Sequence, residues 1–172
     1  MSARTRCIPV GVVVERRKAV TQWAEILWCP VSVLTGSPDA APWTALASDG
    51  NTVTYYAGPA EIALHRSEAE NYRRNLLSVA PMLWVALHAT GGDPPYVIGG
   101  VTADPAEGEG WTEPGQAIVE AVPMPDTIRD EIASFVAQFP VQPGFVKRQR
   151  DRIDPEVLAR RGPSAERRNA RR

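Results

Sequence analysis

The sequence predicts an α+β fold: one strongly bent, mostly antiparallel sheet, with a half-barrel as one form, packed by two main helices and followed by a basic C-terminal tail. Three observations carry this. Successive β-branched runs are joined by short turn signals, which favours antiparallel pairing over long crossovers. Two segments, near 67–76 and 127–139, have helical rather than alternating periodicity. Residues 147–172 are rich in arginine and have little to bury. The division expected is a single domain over 1–146 and a largely disordered tail over 147–172.

The elements follow in order. "IPVGVVVE" (8–15) is a β-branched strand, ended by the charges Glu15-Arg16-Arg17-Lys18. "ILWCPVSVL" (26–34) is a second strand. Pro30 places it at an edge or a bulge, since proline offers the ladder no N–H. "TGSPDAAP" is a loop, and a short segment surrounds Trp43 to Leu46. Asp49-Gly50 marks a hairpin turn. "TVTYYA" (52–57) and "AEIALHR" (60–66) read as two strands broken by Gly58-Pro59. In the second, Ile62 and Leu64 face one way and Glu61, Ala63 and His65 the other. Ser67 opens a helix, with Ser67 and Glu70 at capping-box spacing. Strands follow at 82–89 and 96–102, with a bulge or close backbone approach at Gly99-Gly100. Asp104-Pro105 starts a short helix weakened by Gly108 and Gly110. After a strand at 116–122 comes the clearest helix, with Ile128, Ile132, Phe135, Val136 and Phe139 on one face. Either Thr127 with Asp130 caps it or Pro125 is its first residue, and Pro140 and Pro143 stop it. In the tail, Asp154-Pro155 begins a short helix that Gly162 ends.

The formal net charge of −1 hides an asymmetry. Residues 147–172 hold ten basic and four acidic groups, a net of +6, which leaves −7 on the rest of the chain. The five tryptophans, spread along the chain, read as core or core-edge residues. Cys7 and Cys29 make no disulfide framework, and no apolar run is long enough to span a bilayer. The expectation is a cytoplasmic protein with reduced thiols and no membrane span.

Several chemistries lack their motif. There is no phosphate-binding loop, because neither lysine follows a glycine. There is no dinucleotide fingerprint, nucleophile elbow or zincin helix. Cys7, Cys29, His65 and His88 have no short-range pair, so no metal site is expected, and no cofactor. The densest polar stretch is "EIALHRSEAENYRRN" (61–75). Glu61 and His65 share a strand face. Arg66, Arg73 and Arg74 lie near a helix start, where an anion site is the functional reading and solvated arginines paired to Glu70 the structural one. Glu61, His65, Arg66, Arg73 and Arg74 are therefore the candidate binding surface, with no catalytic residue assigned. Lys147, Arg148, Arg150 and Arg152 are the candidate docking residues of the tail. Nucleic-acid binding by the tail is disfavoured, because no aromatic residue follows Phe145 and the body is acidic.

"PVGVVVERR" (9–17), "WCPVSVL" (28–34), "YAGPAEIALHRSEAENYRRNL" (56–76), "VPMP" (122–125) and "FVKRQRDR" (145–152) together resemble the bacterial domain of unknown function 3305. Cys29 departs from the arginine associated with that place. Genes of that family tend to lie beside those for molybdenum-dependent formate dehydrogenase. The resemblance implies a non-catalytic accessory or assembly protein acting by protein contact, with formate dehydrogenase subunits or their accessory proteins as partner. The alternative is a small enzyme or carrier binding an anionic ligand such as a pterin phosphate. The label of molybdopterin-guanine dinucleotide synthase carried by some relatives does not fit as an activity. The first strand is followed by charges, not by a glycine-rich loop with a lysine.

Overall fold

The computed structural model describes residues 5–21, 24–112 and 117–140. The described residues all belong to one compact unit, Met1–Val141. The candidate docking residues Lys147, Arg148, Arg150 and Arg152 and the short helix expected at 154–162 lie outside the described residues.

Strands β1 (Thr5–Thr21), β2 (Ala24–Thr35), β3 (Thr44–Ser48) and β4 (Thr52–His65) form an antiparallel sheet in the order β2-β1-β4-β3. Strands β5 (Met82–Ala89), β6 (Tyr96–Thr102) and β7 (Ala117–Pro123) form a second, in the order β6-β5-β7. Helix α1 (Ala69–Leu76) follows a 3-10 turn at Arg66–Glu68 and leads from the first sheet to the second. Helix α2 (Pro105–Gly110) follows β6, and α3 (Asp126–Ala137) follows β7. The α+β class and the antiparallel pairing are as expected from the sequence. Among the described residues the strands divide into two sheets rather than one bent sheet, with β4 against β6 and β2 against β7 and no closed barrel.

Alternation builds the core. Ile8, Val10, Val12 and Val14 of β1 and Ile62 and Leu64 of β4 are buried on one face. They meet Leu83, Val85 and Leu87 of β5, and Ile128, Ile132, Phe135 and Val136 of α3. Each such side chain removed from water contributes about 1.5–3 kcal/mol. Tyr72 of α1 packs edge-on against Phe135, with ring centroids 6.3 Å apart. Arg6 of β1 and Glu131 of α3 form an ion pair at 3.1 Å across the same contact.

Five expected details change. The charges after Val14 do not end β1, which is paired by β4 as far as Arg17 and by β2 on to Thr21. Arg16, for example, lies opposite Trp28 on β2 and Val53 on β4. The segment after Trp43 is a strand, although its sequence TALAS lacks a β-branched run. The Asp49-Gly50 turn sets it against β4, with the Asp49 side chain accepting from the Thr52 N–H at 2.8 Å. Residues 52–65 are one strand, not two. Gly58 carries the chain through at φ +141°, a backbone open to glycine, beside a register shift in the β1–β4 pairing. The capping box does not form, because the 3-10 turn starts one residue before Ser67. No side chain caps either that turn or α1. At α3 the backbone N-cap is Pro125, without a side-chain cap, and the helix ends at Ala137, before the prolines. Pro30 sits both at an edge and beside a bulge, since Val13 pairs with Ser32 and Val14 with Pro30. Asp104 caps α2 as expected, accepting from the Ala106 N–H at 2.9 Å.

Candidate functional site

The end of β4 and the turn into α1 place residues 61–75 against three different neighbours. Ile62 and Leu64 point into the core, which leaves Glu61 and His65 on the exposed face. The two are four residues apart on one strand, about 13 Å at the usual rise, too far for Glu61 to orient the imidazole. His65 Nδ1 instead lies 3.4 Å from the Thr5 hydroxyl, and its backbone N–H donates to the Tyr72 phenol at 3.1 Å. Arg66 stacks on Phe139, its guanidinium carbon 5.3 Å from the ring centroid. Arg73 donates to Glu70 at 2.6 Å and to the Phe139 carbonyl at 2.8 Å, so it serves free carbonyls just past α3. Arg74 is exposed, with Glu70 3.7 Å away. The three arginines thus diverge. Of the candidate residues, His65 alone borders the hollow described next.

That hollow, of about 450 Å³, is bordered by His65, Glu68, Asn71, Tyr72, Asp104 and Glu107 among others. Asn71 donates to Glu68 at 3.2 Å and to Asp104 at 3.0 Å. The Thr102 hydroxyl donates to Glu107 and accepts from the Asp104 N–H. Burial first, then Asp104, Glu107 and Glu68, push the Tyr72 phenol above its ordinary range, against the lowering effect of the His65 N–H. Among the described residues no buried side-chain nitrogen or oxygen lacks a partner, so this network is spent in joining α1 to α2. No three His, Cys, Asp or Glu among the described residues are grouped to hold a metal ion. Cys7 is exposed opposite Ala63, and Cys29 lies opposite Glu15, so the thiols are well apart. Burial, then Glu120, raises the Cys29 thiol above its usual range, which disfavours the thiolate.

A second face, which the sequence reading passed over, has a different character. The core-facing positions of β1 continue past Val14 to Arg16 and Lys18, and β2 and β4 bring Ile26, Trp28, Val53 and Tyr55 beside them. Trp28 packs edge-on to Trp43, with centroids 5.7 Å apart, and lies 5.8 Å from Tyr55 and 6.0 Å from Tyr96. All four rings are half-buried. Trp43 holds φ 66°, a left-handed backbone rare for a bulky residue. Arg16 lies over Tyr55, 5.9 Å from its centroid. Beyond it a trough of about 460 Å³ is bordered by Arg16, Lys18, Ile26, Asn51 and Val53 among others. Arg17 turns to Glu15, which raises its pKa, whereas Arg16 and Lys18 have no ion-pair partner among the described residues. The signal was present in the sequence: Val10, Val12, Val14, Arg16 and Lys18 keep a period of two straight through the charge run.

These features define an α+β protein of two antiparallel sheets with a half-exposed aromatic and cationic face. The chain belongs to the family described as protein of unknown function (DUF3305), whose model matches residues 9–150. No curated protein and no solved structure matches it. Among the described residues no helix is long and apolar enough to cross a membrane.

Proposed function

We propose that this protein is a non-catalytic accessory or assembly protein that acts by contact with another protein. The observation that carries this reading is the half-exposed cluster of Trp28, Trp43, Tyr55 and Tyr96, with Ile26 exposed on the same face of β2. Aromatic side chains set at a polar surface beside an arginine are the composition of interface anchors. The strained backbone at Trp43 is the kind of feature that marks a functional surface. The choice of partner, a molybdenum-containing formate dehydrogenase or its accessory proteins, rests on the family resemblance and its gene neighbourhood. The basic residues Lys147, Arg148, Arg150 and Arg152 are a second docking element in this reading.

The competing reading, a small enzyme or carrier for an anionic ligand such as a pterin phosphate, requires cations that converge. Arg66, Arg73 and Arg74 are directed to Phe139, to the end of α3 and to solvent beside Glu70. The test is co-purification of the tagged chain with formate dehydrogenase subunits, with and without residues 147–172, alongside enzyme activity and cofactor content in a deletion strain. Association and a loss of activity in the deletion strain are expected. Absence of association in both forms, with normal activity, removes the proposal.

A further inference from the structure

We propose that the face formed by Trp28, Trp43, Tyr55, Arg16, Ile26 and Lys18 is a docking groove for an acidic, extended peptide segment of a partner protein. This rests on the protein-contact reading above and adds the chemistry of the partner. The groove has two ends of different character. One is the aromatic cluster, at the level where Tyr55 pairs with Val14. The other is the trough at Lys18, floored by Ile26 and Val53. Val14 and Lys18 are four positions apart on β1, about 13 Å along the strand.

Charge selects the occupant. Arg16 and Lys18 point to one face two residues apart, about 7 Å, and neither has a carboxylate partner among the described residues. An extended segment repeats on one face at the same spacing, so acidic residues at i and i+2 match the two cations. An aromatic or large apolar residue about two positions further then reaches Trp28 and Tyr55. A lone phosphate matches the groove poorly. It would engage one cation and leave Ile26, Val53 and the rings in water. The chain's own tail, with ten basic and four acidic groups, has the wrong sign. Nucleic acid would meet a body of net charge −7.

The experiment is a random-peptide display selection on the full chain, followed by fluorescence anisotropy of the enriched peptides. The proteins compared are the native chain, K18E, R16E/K18E and, as a control, R129E, at an exposed position on α3. Lys18 is exposed, so K18E tests the groove without disturbing the core, and near-UV circular dichroism checks the double variant. The expected result is enrichment of acidic-x-acidic sequences with a nearby aromatic residue. K18E should weaken them by about tenfold or more, and R16E/K18E further, with R129E unchanged. Binding should also weaken between about 50 mM and about 500 mM salt. Enriched peptides that bind K18E and R16E/K18E as tightly as the native chain overturn the groove but leave the protein-contact reading standing. Enrichment of neutral or basic peptides, or self-association of the chain that K18E abolishes, also overturns it. No enrichment of any peptide overturns both.

Discussion

Replacing Asn75 with alanine isolates what holds α1, and with it residues 61–75, in place. Asn75 is 5% exposed, and its amide nitrogen donates to the Met82 and Ala103 carbonyls, both at 2.8 Å. Its amide oxygen accepts from the Met82 N–H at 3.1 Å. One side chain on the last turn of α1 therefore fastens the first residue of β5 and the residue just past β6. A neutral hydrogen bond contributes about 1 kcal/mol net, and a buried group left without its partner costs about 1–3 kcal/mol. Three bonds lost together, with some rehydration through the gap, give about 3 kcal/mol. For a domain of this size that lowers the melting temperature by about 6–12 °C. Thermal and urea unfolding followed by near-UV circular dichroism measures it. Asn75→Asp should cost at least as much at neutral pH, because a carboxylate would face two carbonyls, and less at low pH once protonated. A loss below about 1 kcal/mol for the alanine variant would refute the reasoning that this amide is the clamp.

The remaining predictions concern the helices and the pH dependence. Gly108→Ala would add about 1 kcal/mol of helix propensity, but its Cβ would clash with Cβ and Cγ of Trp84, atoms too close to the backbone to swing aside. Overpacking of about 1–3 kcal/mol should win, and a urea midpoint at or above that of the native chain would contradict it. Arg73→Ala should cost about 1–2 kcal/mol through the lost bonds at the end of α3, and Arg74→Ala less than about 0.5 kcal/mol. Equal effects in thermal melts would show that the arginines are not divided in this way. Folding favours the neutral Tyr72 phenol. That stabilisation is complete below the ordinary tyrosine range, about pH 10, and is lost as pH rises through the higher folded value. Tyr72→Phe should flatten that part of the stability profile, measured by urea midpoints at successive pH values.

The sequence carried the fold further than the site. Alternation in Ile62–Leu64 and the spacing of Ile128, Ile132, Phe135 and Val136 are local records of burial, and both faces are where the pattern placed them. Asp104 with Pro105 and Asp49 with Gly50 are local as well, since cap and turn act within a few residues. What was not legible depended on distant partners. Residues 16 and 17 are strand because β2 and β4 pair with them from both sides, residues 18–21 because β2 continues alongside, and TALAS is strand because a turn folds it onto β4. Arg66 and Arg73 looked available in the sequence because Phe139 and the end of α3, more than sixty residues away, could not be placed beside them. The aromatic face was missed for the same reason. Trp28, Trp43 and Tyr55 are scattered in sequence and meet only through the strand pairing of the first sheet, and Tyr96 reaches Trp28 from β6 of the second.

The central claim is that this protein works by contact through the Trp28–Tyr55–Arg16 face. The measurement that tests it most directly is a titration of purified formate dehydrogenase holoenzyme with the full chain and with K18E, followed by light scattering or calorimetry. The account predicts a complex of about micromolar affinity that K18E weakens by about tenfold. No complex at about 100 μM chain would contradict it, as would equal binding by the native and K18E proteins.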